Sequence, residues 1–300
     1  MGSVATKPGR SPALLKIGID SLSWAVPSLR EALQPFSAVV ITGGSSGIGK
    51  SFIQLLRTLK PELVFCNLSR RAPAENIFPN PTKSLNHIAC DLSRPADTQN
   101  AGLSVGNILQ REAPIGGILL INNSGFGTFG SFAELDLARE LSMIDVNVRA
   151  LVELTGILLP LLQSRGGVIM NIASTVAFQP TPFCATYGAT KAFVLHWTIA
   201  LNEELRGSRV RAIAVCPGTT ATPFFRTAGS RVDAAASPSS MTAEEVVKIA
   251  LCALGSRRSQ VVAGWGNRLY TFAGAKLPKP VAARMAAKIL GKRRPRSGTS

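Results

Sequence analysis

Between residue 37 and about residue 263, short β-branched apolar runs alternate with longer stretches of helical period. Apolar runs bounded by turn residues read as buried strands, and their alternation with helices signals repeated βαβ units and a parallel sheet. Strands are expected near 37–42, 63–68, 86–90, 116–122, 167–173, 209–215 and 259–263. Helices are expected near 47–59, 133–163, 185–206 and 241–254, the last opening on Thr242 as N-cap ahead of Glu244 and Glu245. Seven strands with helices between them predict one α/β domain over residues 36–265: a doubly wound, seven-stranded parallel sheet with helices on both faces.

Two segments lie outside the pattern. Residues 1–35 form an N-terminal extension with a Gly/Ser/Pro-rich tip and a short amphipathic helix. Residues 266–300 form a basic C-terminal extension, a short helix carrying Arg284, Lys288 and Lys292 at i, i+4, i+8 followed by a tail expected to be disordered. The longest apolar stretch, "ALVELTGILLPLLQS", is interrupted by Glu153 and Pro160, so no membrane span is expected. Lys16 and Asp20 break the first apolar segment, which argues against a secretory leader, and Asp20 and Glu31 argue against a transit peptide. Cys66, Cys90, Cys184, Cys216 and Cys252 are odd in number and widely spaced, as expected of reduced thiols in a cytoplasmic protein. The net charge of +16 is uneven: residues 241–300 hold twelve Lys/Arg against two Glu, and residues 36–240 hold seventeen against thirteen acids.

The candidate chemistry begins at "VVITGGSSGIGKS", residues 39–51. Gly44 to Ser51 fits the phosphate cradle of nucleotide triphosphatases, and Thr42 to Gly49 (Thr42, Gly43, Ser45, Ser46, Gly47, Ile48, Gly49) fits a dinucleotide-binding turn. Both readings use a strand, a tight glycine turn and a helix N-terminus, so the turn alone does not decide. A triphosphatase also needs an acid on a second strand to hold magnesium, and only Asp91 offers one. Tyr187 and Lys191, four apart on an expected helix, share one face, and Ser174 precedes Tyr187 by thirteen residues. An ammonium near a phenol stabilises the phenolate, which is what a tyrosine needs to trade protons near neutral pH.

With these residues the chain resembles the short-chain dehydrogenase/reductase family. The resemblance rests on the glycine turn, "CDL" at 90–92, "NNSG" at 122–125, "VN" at 146–147, Ser174, "YGATK" at 187–191 and "PGTTAT" at 217–222. It implies a Rossmann-type fold and a carbonyl–alcohol interconversion by hydride transfer. Tyr187 would pass the proton, Ser174 would bond the substrate oxygen, Lys191 would lower the tyrosine pKa and hold the nicotinamide ribose, and Asn147 would support a water beside Lys191. Asn122, Asn123, Ser124 and Gly125 would border the adenosine ribose and keep the central sheet in register, Asp91 and Leu92 would border the adenine, and Pro217, Gly218, Thr220 and Thr222 the rest of the cofactor. Ser124 stands where the family usually has alanine.

About twenty residues past the turn, where an acid would select NAD, stand Ser69, Arg70 and Arg71. Serine and arginine suit a 2′-phosphate, which makes NADP(H) the expected cofactor; the alternative is a solvated arginine pair. Phe126, Phe129, Phe178, Phe183, Phe224 and Phe225 lie on loops expected near the nicotinamide and suggest a hydrophobic carbonyl substrate, with about half of them expected to be core. His87 and His196 lack partners at metal spacing, and no metal is expected. The family resemblance implies a dimer or tetramer. The basic C-terminal helix is open to three readings: docking on an anionic membrane surface, covering the substrate cleft, or a solvated tail. Nucleic acid is not expected as a partner, since no aromatics interleave with the tail's basic residues. Besides the triphosphatase, a non-catalytic NADP-binding or membrane-associated scaffold is the rival reading.

Overall fold

The computed structural model describes residues 25–74, 85–230 and 240–291. The Gly/Ser/Pro-rich tip, the expected disordered tail from 292 and Lys292 itself lie outside the described residues.

Seven strands, β1 (Phe36–Thr42), β2 (Val64–Ser69), β3 (Leu85–Ala89), β4 (Gly117–Asn122), β5 (Gly167–Ile172), β6 (Val210–Cys216) and β7 (Gln260–Val262), form one parallel sheet. Their order is β3-β2-β1-β4-β5-β6-β7, so the chain reverses direction across the sheet between β1 and β4. The period-2 pattern of the strands divides their residues between two cores. Val39 and Ile41 of β1 and Leu119 and Ile121 of β4 face one layer; Ala38, Val40, Ile118 and Leu120 face the other.

The first layer is covered by α1 (Ala25–Leu33), α2 (Gly47–Leu59) and α8 (Ala243–Cys252). Leu29 and Leu33 put α1 into the core, and Lys60 Nζ donates to the carbonyls of Leu33, Gln34 and Phe36 at 3.3, 3.0 and 2.9 Å, a cation at a helix C-terminus. Thr242 does cap α8, in a reciprocal capping box with Glu245.

The second layer holds α3 (Pro95–Glu112), α5 (Ala150–Arg165) and α6 (Ala185–Glu204). The sequence pattern predicted no helix at 95–112, because the buried stripe of α3 includes the small or polar Thr98, Ala101 and Gly102, which give little hydrophobic period. Gly102 fits against Ile157 of α5.

The helix expected over 133–163 is broken. A 3₁₀ turn (Phe132–Glu134), α4 (Leu137–Ile144) and a π-helical turn (Asp145–Arg149) precede α5. The wide turn carries Asn147, whose side chain is bonded to the backbone of Phe126 and to Thr190. After β6 a short α7 (Phe224–Thr227) forms, and beyond β7 come two helices, α9 (Trp265–Lys276) and α10 (Lys279–Gly291), parted by Leu277 and Pro278.

Candidate active site

The loops after β1 to β6 open at the carboxyl edge of the sheet and carry most of the residues singled out above. In a doubly wound sheet this edge forms a crevice where strand order reverses. Gly43 and Gly47 adopt φ of 72° and 55°, the left-handed region that a Cβ resists. Gly49 answers a different need, since a Cβ there would strike the Gly43 carbonyl and stand 2.5 Å from Asn123 Nδ2. Thr42 Oγ1 accepts from the backbone N–H groups of Asn123 and Ser124 at 3.0 and 2.9 Å, and Asn123 Nδ2 donates to the Thr42 and Gly43 carbonyls. The turn after β1 is thus stitched to the turn after β4. Ser46 at the α2 N-cap makes no side-chain capping bond and the first turn holds no acid, so Ser45, Ser46, Gly47 and Ile48 front a helix end whose N–H groups suit an anion.

A buried asparagine, not singled out in the sequence, couples this turn to the end of β2. Asn67 Oδ1 accepts from Gly44 N at 2.9 Å, and Asn67 Nδ2 donates to Ser69 Oγ at 2.8 Å and lies 3.1 Å from His87 Nδ1. Ser69 Oγ in turn donates to the Arg71 carbonyl at 2.7 Å, while the Arg70 and Arg71 side chains are exposed. Burial raises the Asp91 pKa, but bonds from Ser93 and the charges of Arg70 and Arg94 outweigh it and leave the carboxyl below its usual value. Leu92 beside it is buried. Asp91 follows the outermost strand, two strands from β1, which removes the acid that the triphosphatase reading requires next to the glycine turn.

Asn122 turns inward rather than toward the crevice. Its Nδ2 donates to Thr155 Oγ1 at 3.1 Å and to Asn171 Oδ1 at 2.8 Å, joining β4 to α5 and to its register partner on β5.

Ser174, Tyr187, Lys191 and Asn147 come together at the other side of the crevice. Ser174 follows β5 and hydrogen-bonds the Tyr187 phenol. One turn along α6, Lys191 Nζ donates to the Ile172 carbonyl at 2.7 Å and lies 5.9 Å from the centre of the Tyr187 ring. Asn147 accepts from Phe126 N at 3.1 Å and donates to Thr190 Oγ1 at 3.0 Å, and Thr190 Oγ1 donates to the Tyr187 carbonyl. A Cβ on Gly125 would stand 3.0 Å from Asn147 Oδ1 and 3.2 Å from Lys191 Nζ, so the "NNSG" turn presses on both.

The ionisation of this pair differs from the sequence expectation. Burial raises the Tyr187 pKa above its usual value against the lowering effect of the Ser174 bond, and burial brings Lys191 down to about 8. Desolvation disfavours the charged form of each. Near neutral pH the tyrosine therefore holds its proton and the lysine its charge.

The segment after β6 closes the crevice. Pro217 accepts from Thr175 N at 2.9 Å through its carbonyl, Thr220 Oγ1 donates to the Gly218 carbonyl, and a Cβ on Gly47 would lie 3.4 Å from the Thr222 methyl. Gly218 also packs against Asn267 of α9. Of the six phenylalanines, Phe224 lies 5.2 Å from Tyr187, centre to centre, with Phe225 5.5 Å beyond it. Phe126 sits under the Arg139 guanidinium, and that arginine donates to the Thr227 carbonyl across the cleft. Phe129 is buried, Phe178 packs on the core, and Phe183, at φ 65°, lies under Gly291 of α10. Gly127, also missed, touches both Tyr187 and Phe224; its place in "GFGTFG" beside "NNSG" was the available signal. Nothing local marked Asn267. Burial first, and the Glu140 charge second, push the Cys184 thiol up to about 12, away from reactivity. Among the described residues no three His, Cys, Asp or Glu side chains gather as metal ligands.

The sequence model of the short chain dehydrogenase family matches residues 37–233. Ketoacyl reductase HetN of Nostoc sp. is 31% identical over 226 residues, 75% of this chain and 77% of its own. Serine 3-dehydrogenase of Rhizobium radiobacter is 31% identical over 64% of this chain and 76% of its own. A solved short-chain dehydrogenase from Sphingobium yanoikuyae, in complex with NADPH, superposes with a TM-score of 0.67 at 30% identity, covering 88% of this chain and 99% of that one. With this sheet order and a matching sequence over most of its length, the chain belongs to the short chain dehydrogenase family of oxidoreductases.

Proposed function

We propose that the protein is an NADP(H)-dependent reductase of a hydrophobic carbonyl compound, working through Ser174, Tyr187, Lys191 and Asn147. The observation that carries this reading is the meeting of those four residues at the β5–β6 side of the crevice, across from the glycine turn and from Ser69, Arg70 and Arg71. The crevice fits the cofactor: an uncapped helix end meets a pyrophosphate, the absence of a Cβ at Gly43 and Gly49 lets the turn pack tightly on itself and on the turn after β4, and two exposed guanidinium groups, with no acid at position 69, suit a 2′-phosphate. NADPH bound there supplies the hydride.

The chain's own residues do the rest. Ser174 donates a hydrogen bond to the substrate oxygen, and Tyr187, protonated at neutral pH, gives that oxygen its proton. Lys191 keeps positive charge beside the phenolate that forms, and Asn147 holds the π-helical turn against Phe126 and Thr190 so that α6 keeps its place. Holding donor and carbonyl in one geometry lowers the barrier by positioning as much as by acidity.

The names of the relatives diverge between an acyl and an amino-acid substrate, and the side chains near Tyr187 support the first. Phe126, Phe224 and Phe225 on the substrate side favour an apolar ketone or acyl compound over a zwitterion. Reduction is the proposed direction because cellular NADPH pools favour it. Leu137, Leu141 and Ile144, exposed on one face of α4, and exposed Phe193 on α6 support a homo-oligomer joined through these helices. Five unpaired thiols suit a reducing, cytoplasmic setting. NADPH oxidation across ketones, aldehydes and β-ketoacyl esters tests the proposal, with Tyr187→Phe as the blank. Tight NADPH binding with no turnover on any of them would favour the scaffold reading instead.

A further inference from the structure

The helices beyond β7 have two unlike faces. On α9, Thr271 and Gly274 are buried, Gly274 against Gln179, whose amide donates to the Tyr270 hydroxyl; Lys279 Nζ reaches the Phe178 carbonyl at 3.3 Å. Ala282 and Ala286 form the buried side of α10. This inner face covers the β5–α6 loop.

The outer face is the reverse of what a solvated helix shows. Trp265, Leu269 and Phe272, at i, i+4 and i+7, are 82%, 64% and 64% exposed. At 100° per residue they centre almost opposite Thr271 and Gly274, so the stripe points straight away from the body. On α10, Val281, Met285 and Ile289 are 42%, 50% and 51% exposed along a flank roughly 80° from the buried Ala282 and Ala286, and Arg284 and Lys288 lie on the side facing away from the body. Residues 265–300 contain nine Lys/Arg and no Asp or Glu.

We propose that the outer face of α9 and α10 docks on an anionic lipid surface. Six large apolar side chains, a tryptophan among them, enter the headgroup boundary while the flanking basic residues pair with lipid phosphates. Charge selects this occupant. A second copy would set two wholly basic segments against each other, and a nucleic acid has no use for the aliphatic Leu269, Val281, Met285 and Ile289. Because the inner face covers the β5–α6 loop, docking also brings the cleft near the bilayer, a consequence that rests on the reading of the cleft above; the docking itself does not.

Sedimentation of the full-length protein with phosphatidylcholine vesicles, with and without about one-third phosphatidylserine, tests this. Wild type is expected to bind the anionic vesicles about tenfold more tightly than neutral ones. The triple variant Trp265→Ser, Leu269→Ser, Phe272→Ser is expected to lose that binding with its thermal midpoint and NADPH affinity kept, and Arg284→Glu with Lys288→Glu to lose the preference for anionic lipid. Equal partitioning of wild type and triple variant, or equal binding to both vesicles, overturns the proposal. So does a stripe that alters the sedimenting mass, or binds a short DNA duplex, without altering vesicle binding.

Discussion

The two halves of the crevice are built in different ways. The half along β1, β2 and β4 is made mostly of backbone: a glycine turn, a helix end, and polar side chains of Thr42, Asn67 and Asn123 that bond main-chain groups at close range. The half along β5 and β6 is made of side chains brought from afar, with Phe224 packed beside Tyr187 over Gly127, Arg139 reaching Thr227 and Asn267 arriving from α9. A surface of fixed backbone dipoles suits a constant ligand, and a surface of exchangeable side chains can change substrate without disturbing the sheet.

Tyr187→Phe separates the halves most sharply. Turnover should fall by about three orders of magnitude, the scale of a lost proton donor, while NADPH affinity measured by fluorescence titration stays within about threefold. A comparable loss in both would mean that the halves are not independent.

Lys191 offers a second cut, through stability. Its pKa of about 8 in the folded protein lies below the usual 10.5, so the unfolded chain binds more protons between these values. Stability should therefore be flat below pH 8 as far as this group is concerned and rise from about 8 to 10.5, by on the order of 3 kcal/mol. Denaturant titrations of the cofactor-free protein should show this rise in wild type and lose it in Lys191→Met.

On the cofactor half, Gly49→Ala forces a Cβ into the Gly43 carbonyl. Overpacking of this kind costs about 2 kcal/mol, or about 30-fold in NADPH affinity, with the fold retained by circular dichroism. Arg70→Ala should have the smallest effect, lowering the preference for NADPH over NADH about tenfold in kcat/KM, the weight of one exposed charge-assisted bond. A wild-type preference for NADH would remove the selectivity argument altogether.

The same division explains what was legible beforehand. All seven strands fall within a residue or two of their expected places, since most are short, buried apolar runs set between turn residues and alternating with helices. The glycine turn and the Tyr187–Lys191 spacing are likewise local: their geometry follows from φ angles and helical pitch. α3 stayed hidden because Thr98, Ala101 and Gly102 bury a small-residue stripe that only α5 makes sense of. The sorting of the phenylalanines, Phe224 to the cleft and Phe129 to the core, could not be told from loops of like composition.

By itself, then, the order of residues determined the sheet, the glycine turn after β1 and the one-turn spacing of phenol and amine, because each depends on contacts within a few positions of the chain. Only the tertiary structure decided that burial would raise the tyrosine pKa and lower that of the lysine, that Asn122 would face α5, and that α9 would bring Asn267 to Gly218 while leaving Trp265 in the open. Those outcomes turn on which distant segment excludes water from a group, and chain order specifies that only once the sheet has closed.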